Sequence, residues 1–162
     1  MRIGSVLENL NIEKRIAITP EIAKKYISLG IDVSLPENYA SHLGINTSQY
    51  SDVGVLISKD EKEIISSSDI LVQLNLPSED RYSLIKENKT LIGILNPYIN
   101  EDKLKDLAKK SINVLSLELL PRITRAQSMD ILSSQANLAG YKAVLESFAN
   151  FEKAIPMMMT AA

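Results

Sequence analysis

The chain has 162 residues, a hydrophobic share of 45%, no cysteine, and 18 basic against 20 acidic side chains for a formal net charge of −2. That is about one domain's length with enough apolar material for a buried core, which excludes disordered and collagen-like chains. The basic residues are scattered rather than gathered on one face, so no nucleic-acid partner is expected, and the lack of cysteine rules out a disulfide framework, thiol catalysis and thiolate metal sites.

Residues 2–6 are the first of six short β-rich runs; the others are 32–35, 53–57, 69–74, 90–95 and 113–117. Most are continuous apolar stretches of the kind buried on both faces of a parallel sheet, and helical patterns separate them. The alternation predicts an α/β fold with a doubly wound parallel sheet, Rossmann- or flavodoxin-like.

Charged residues follow the first strand by Glu8, Glu13, Lys14 and Arg15, so this stretch holds no signal-peptide core. No apolar run reaches the roughly 18 residues of a membrane span, and the expected location is cytoplasmic. Arg15 sits on the loop after the first strand, either as an anion contact or as an exposed surface residue. Thr19-Pro20-Glu21 then offers a capping hydroxyl, a proline at the first helical position and an early acid. Ile22, Ala23, Tyr26 and Ile27 form that helix's apolar stripe, which ends at Gly30.

Further along, Ser41-His42-Leu43-Gly44 reads as a turn; its histidine is the only one, has no visible partner, and leaves no His pair for a metal. Ser58-Lys59-Asp60-Glu61 reads as a capping box before Ile64-Ile65. The run 69–77 and Leu95-Asn96-Pro97 each leave one polar residue at a strand's end, where it would line a pocket or cap the strand. Ser78-Glu79-Asp80 opens a shorter helix, and Asn100-Glu101-Asp102 caps one whose buried face is Leu104, Leu107 and Ala108.

From Thr124 the pattern stays helical to about Asn150, with an apolar stripe of Met129, Leu132, Ala136, Ala139 or Gly140, and Ala143. Small residues at that spacing let a second backbone approach, and the alternative to an enzyme part is a non-catalytic dimerisation or interaction module in which this stripe mediates self-association and the polar loop is decoration. The expected organisation is an α/β domain over 1–123, a long helix over 124–150 and a stub over 151–162. The closing Ile155-Pro156-Met157-Met158-Met159-Thr160-Ala161-Ala162 reads as a chain cut at a domain junction, or alternatively as a segment tucked into the domain's own core.

Nucleophilic chemistry lacks its partners, since no serine stands in a Gly-x-Ser-x-Gly elbow or beside a catalytic histidine. The glycines never fall at Gly-x-Gly-x-x-Gly spacing. The informative segment begins at Arg122, in the loop after the last strand. On a helix, Gln127, Asp130, Ser133 or Ser134, and Asn137 share one side. Guanidinium, amide, carboxylate and hydroxyl together can address a carboxamide and a sugar diol. The same residues also read as ordinary helix-start decoration, with Thr124 as cap and Asp130 too deep for the helix dipole. Both readings stand at this point.

Three segments carry a resemblance: Glu13-Lys14-Arg15-Ile16-Ala17-Ile18-Thr19-Pro20, the Arg-Ala-Gln-Ser-Met-Asp-x-Leu-Ser-Ser core from Arg125, and the closing Met-Met-Met-Thr-Ala-Ala. They resemble the N-terminal portion of the alpha subunit of proton-translocating NAD(P) transhydrogenase, with alanine dehydrogenase the nearest relative. The likeness implies an α/β domain joined by a long helix to a Rossmann domain that holds NAD, and truncation here before that domain. It further implies hydride transfer between NAD(H) and NADP(H) coupled to proton movement. The partners it implies are that Rossmann domain, an NADP(H)-binding component and a membrane component, with a homodimer as the oligomer and a place peripheral to the inner membrane. Arg122, Gln127, Asp130 and Ser133 match the family's nicotinamide-facing loop, with Ile123 and Thr124 beside them, as cofactor-binding residues; no acid or base and no metal takes part. Gln73 and Asn96 stand where alanine dehydrogenase has a lysine and a histidine, so amino-acid oxidation is not expected. Without the glycine-rich loop, this chain alone is expected to bind NAD(H) weakly or not at all.

Overall fold

A computed structural model of the chain describes residues 1–153. By its internal contacts the chain divides into two units, Met1–Leu119 and Leu120–Ala162. The first holds β1 (Arg2–Gly4), α1 (Pro20–Ser28), β2 (Asp32–Pro36), α2 (Thr47–Ser51), β3 (Leu56–Ser58), α3 (Glu61–Ser67), β4 (Ile70–Val72), α4 (Glu79–Tyr82), β5 (Thr90–Gly93), α5 (Glu101–Lys109) and β6 (Asn113–Ser116). Every strand pairing is parallel, in the order β3-β2-β1-β4-β5-β6. This is a Rossmann-like α/β sheet, and its order reverses between β1 and β4, the place where the two windings separate.

Two apolar clusters flank the sheet. Alternate residues of β4 serve different ones: Leu71 packs with Val6, Ile64, Leu91 and Leu107, while Ile70 and Val72 pack with Ile3, Val33, Leu35 and Tyr50. A strand buried on both faces must be apolar throughout, which is why these runs lack a two-residue alternation. The edge strand β6 differs, with Leu115 half exposed. Close approach explains two glycines: a Cβ on Gly4 would lie 2.1 Å from Ser68 Oγ, and one on Gly93 2.4 Å from the Gln73 carbonyl oxygen.

The helix starts follow local chemistry, with corrections. Thr19 Oγ1 caps α1 by accepting from Ile22 N–H at 3.3 Å, as its sequence suggested. At α3 the cap is Asp60, whose Oδ1 accepts from Lys62 N–H at 2.9 Å, and not Ser58. Ser58 instead accepts from the Asp60 N–H and donates to Glu63 Oε2. The five-residue helix α2 has no apolar stripe long enough to announce it. On α5 Leu107 is buried but Ala108 is exposed, because a nine-residue helix on the sheet turns only a narrow face inward. The 3-10 turn Ser41–Leu43 ends at Gly44, whose φ of 75° favours glycine. Its His42 does have a partner: Nε2 donates to the Lys14 carbonyl at 2.8 Å.

The second unit starts differently from the periodicity's prediction. Residues 124–126 form a turn, Gln127–Met129 form a 3-10 turn, and the helix α6 runs over Ile131–Ala149. Thr124 is therefore not the cap. Asp130 is, its Oδ1 accepting from Leu132 N–H at 3.0 Å and Ser133 N–H at 3.1 Å. No residue of α6 is buried, and a Cβ on Gly140 would meet nothing within 4 Å, so the small-residue stripe packs against nothing among the described residues. The apolar run 155–162 lies outside the described residues.

Candidate functional site

Asp130 organises the second unit's polar loop. One carboxylate oxygen closes the first turn of α6, and the other, Oδ2, accepts from Ser133 Oγ at 2.6 Å. Arg122 Nε lies 4.0 Å from the same Oδ2, with the Arg122 side chain 72% exposed and that of Asp130 17%. The Ser133 hydroxyl, the Ser133 N–H and the Arg122 charge hold the Asp130 carboxyl below the usual carboxylate range. This carboxylate is ionised and oriented while the guanidinium is only loosely held.

Around this pair lies an open cavity of about 380 Å³ lined by Arg122, Ile123, Thr124, Gln127, Asp130 and Ser133. All six residues singled out from the sequence are thus brought together, although by a different route from the one periodicity suggested. Gln127 reaches the cavity from the 3-10 turn and Ser133 from the first turn of α6. Asn137 does not line it. Chemically the cavity offers an amide, an ionised carboxylate, two hydroxyls and a guanidinium beside one apolar side chain. Such a set can grip a planar carboxamide or a vicinal diol.

A second cavity, of about 610 Å³, opens in the first unit at the carboxyl ends of β1 and β4. Gln73 forms its floor. The side chain is 3% exposed; its Oε1 accepts from Val6 N–H at 2.7 Å and Ser5 Oγ at 2.9 Å, and its Nε2 donates to the Val6 carbonyl at 3.3 Å and Glu8 Oε1 at 3.2 Å. Gln73 therefore both lines a pocket and ties two strand ends together. Asn96, at φ 46°, forms no part of this wall; its N–H donates to Glu118 Oε1 at 2.5 Å. Glu118 Oε2 also accepts from Ser116 Oγ at 2.7 Å.

Arg15 is exposed on its loop, as one of the two sequence readings had it, and is also paired. Its Nε and Nη2 donate to the two carboxylate oxygens of Glu13 at 2.8 and 2.6 Å, and Glu13 is nearly buried. The two charges reinforce each other: Arg15 lowers the Glu13 pKa, and Glu13 raises that of Arg15. Glu8, Glu13 and Asn75, which build this region, were missed from sequence. Glu8 and Asn75 signalled only as polar residues a few positions past β1 and β4, and Glu13 only as the first residue of the Glu13–Pro20 segment.

The model of the alanine dehydrogenase/PNT N-terminal domain matches residues 4–139. The first part of the NAD(P) transhydrogenase alpha subunit of Rickettsia prowazekii is 41% identical over 166 residues, covering all of this chain and 43% of that protein. Its counterpart from Rhodospirillum rubrum is 38% identical over 167 residues, again covering all of this chain and 44% of the relative. The chain thus spans less than half the length of these relatives. Among solved structures, that of a transhydrogenase from Sinorhizobium meliloti superposes with a TM-score of 0.88 at 35% identity, covering 99% of this chain and 48% of the other. No helix among the described residues is long and apolar enough to cross a membrane.

Proposed function

The chain belongs to the alanine dehydrogenase/PNT N-terminal domain family, and on that premise we propose that it supplies the nicotinamide-side contacts of the NAD(H)-binding component of a proton-translocating NAD(P) transhydrogenase. Its partners in this reading are a Rossmann domain for the rest of NAD, an NADP(H)-binding component and a membrane component. The exposed face of α6 serves a homodimer or the junction with the Rossmann domain.

The observation that supports this reading is the convergence of the six loop residues on one cavity. The donor set fits the nicotinamide half of a dinucleotide. Gln127 matches the paired donor and acceptor of a carboxamide, Asp130 and Ser133 match ribose hydroxyls, and Ile123 offers a ring face. The bound dinucleotide itself supplies the hydride. What the chain contributes is placement: a direct transfer needs the two reacting carbons held a few ångströms apart, and no protein acid or base. Asp130 stays ionised and fixed by its cap, so it orients without reorganising, and Arg122 is loosely enough held to turn towards the ligand.

An alanine dehydrogenase-like reading is disfavoured by the first unit's geometry. Arg15 is already paired with Glu13 and Gln73 is consumed by the backbone of Val6, so no side chain there stands ready for a 2-oxo acid carboxylate.

The test is hydride transfer from NADH to an NADP analogue, with the remaining components of the enzyme supplied. Arg122→Ala and Gln127→Ala should each lower kcat by roughly 10- to 100-fold. A loss below about twofold in both would refute the assignment. Titrated alone, the chain should bind NADH more weakly than the micromolar range, because the adenosine and pyrophosphate contacts lie elsewhere in this reading. A micromolar Kd would show that its binding energy sits in this unit after all.

A further inference from the structure

The open cavity of the second unit is built from two short arms of one loop. Arg122, Ile123 and Thr124 come from the first arm and Gln127, Asp130 and Ser133 from the second, while Ala126 stands between them and lines nothing itself. Side chains on separate arms keep a common geometry only where the arms are tied together. Asp130 fixes the second arm to the helix that follows. Its contact with the first, to Arg122 Nε, is 4.0 Å long and its guanidinium end is 72% exposed, too loose to hold a backbone in place.

Ala126 supplies the tie. Its N–H donates to the Ile123 carbonyl at 2.9 Å and its carbonyl accepts from Met129 N–H at 2.9 Å, so one residue closes a turn in each arm. Its φ of −96° and ψ of −3° lie in the bridge region that such turns use, without strain for a small residue. Burial adds a second constraint. Ala126 is 5% exposed between the exposed Arg125 and Gln127, and it is the one buried residue among those described in the second unit. A covered methyl group leaves no room for a γ carbon, so a larger side chain must push the backbone outwards, and both turn hydrogen bonds run through that backbone.

We propose that Ala126 is a positioning residue for the polar loop: its two closed turns and its covered methyl group hold residues 122–124 against 127–133, and a larger residue there drives the arms apart. The consequence for hydride transfer rests on the nucleotide reading of this loop; the coupling of the arms does not.

Amide-resolved NMR on the full chain reads the coupling. Ala126→Val should shift the amides of Ile123 and Thr124 together with those of Asp130 and Ser133, leaving Val33 and Leu91 of the sheet in place, and Ala126→Ser, close to alanine in size, should restore the wild-type pattern. Ala126→Gly, which loosens the turns without adding bulk, should speed hydrogen exchange of the Met129 amide severalfold. Shifts confined to residues 125 and 127, or wild-type exchange in Ala126→Gly, would overturn the proposal. Hydride transfer from NADH to an NADP analogue, with the remaining components of the enzyme supplied, reads the consequence. Ala126→Val should lower kcat about 10-fold while KM for NADH changes by less than about threefold, and Ala126→Ser should recover most of the loss. In the Ala126→Val background Arg122→Ala should cost much less than it does alone, because the guanidinium is already displaced. Unchanged kcat in Ala126→Val, no recovery with serine, or losses that simply multiply would each count against a positioning role and overturn it. An effect of Arg122→Ala alone below about twofold would instead mark failure of the nucleotide reading, with the NMR pattern still deciding whether Ala126 ties the arms.

Discussion

Replacing Gln73 by leucine keeps the side-chain volume while deleting an acceptor and a donor at the point where β1 and β4 diverge. The Val6 N–H, on a residue with 0% exposure, loses its 2.7 Å partner, and the Val6 carbonyl loses Gln73 Nε2. Ser5 is less affected because its hydroxyl still reaches Tyr39 Oη at 2.8 Å. Each orphaned buried polar group costs about 1–3 kcal/mol, two are orphaned, and leucine's extra apolar burial returns about 1 kcal/mol, so the net destabilisation should be about 1–5 kcal/mol. With a urea m-value of about 2 kcal/mol/M, the midpoint should fall by about 0.5–2.5 M. Equilibrium urea unfolding, followed by near-ultraviolet tyrosine signals of the first unit, reads this directly. A fall below about 0.3 M would mean that water or a backbone shift satisfies Val6, and the hub described for Gln73 would be wrong. Gln73→Glu sharpens the test. It keeps an acceptor for Val6 but sets a second carboxylate where Nε2 stood, 3.2 Å from Glu8 Oε1. Repulsion raises the new group's folded pKa, so its relative stability should be greatest below the unfolded carboxylate pKa and be lost as pH rises through the folded value.

Gly93→Ala should cost about 2–4 kcal/mol in the same assay, because the atom met is the Gln73 backbone oxygen, which cannot move aside. Gly4→Ala should be partly rescued by Ser68→Ala, which removes the nearest atom. At Asp130, alanine should speed hydrogen exchange of the Ser133 and Ser134 amides severalfold, whereas asparagine, still able to cap, should leave it nearly unchanged. The Asp130 pKa is lowered, chiefly by the Ser133 hydroxyl, so the cap's contribution is present above the unfolded aspartate pKa and is lost as pH falls through the folded one. Arg15→Ala should raise the Glu13 pKa, observable by NMR titration of the carboxyl carbon, because burial opposes ionisation once the guanidinium is gone.

The parallel sheet was legible because strands buried on both faces write themselves as unbroken apolar runs. Their ends were not. Of the 53–57 run only Leu56 and Ile57 are strand, which continues to Ser58, since Gly54 at φ 96° belongs to the preceding turn. Ladder register depends on the neighbouring strand, which no local window contains. Caps were legible where one candidate stood alone, as at Thr19, and misread where several competed, as at Ser58 and Asp60. The Arg122–Ser133 loop shows the same limit. Its residue types were readable, yet periodicity carried the helix back to Thr124 because Ala126, Met129 and Leu132 continue the apolar pattern; the 3-10 turn that seats Gln127 breaks it. Networks such as Glu8–Gln73–Val6 join residues 65 or more positions apart and leave no trace in spacing.

The helix Ile131–Ala149 carries Leu132, Leu138, Tyr141, Val144, Leu145 and Phe148 largely in the open, with only the Lys142–Glu146 pair on its flank. A rod greasy on every side gains little from standing in water by itself. Covering those side chains would stabilise the helix by mass action, and where they stay uncovered its amides should exchange with solvent faster than those of the sheet.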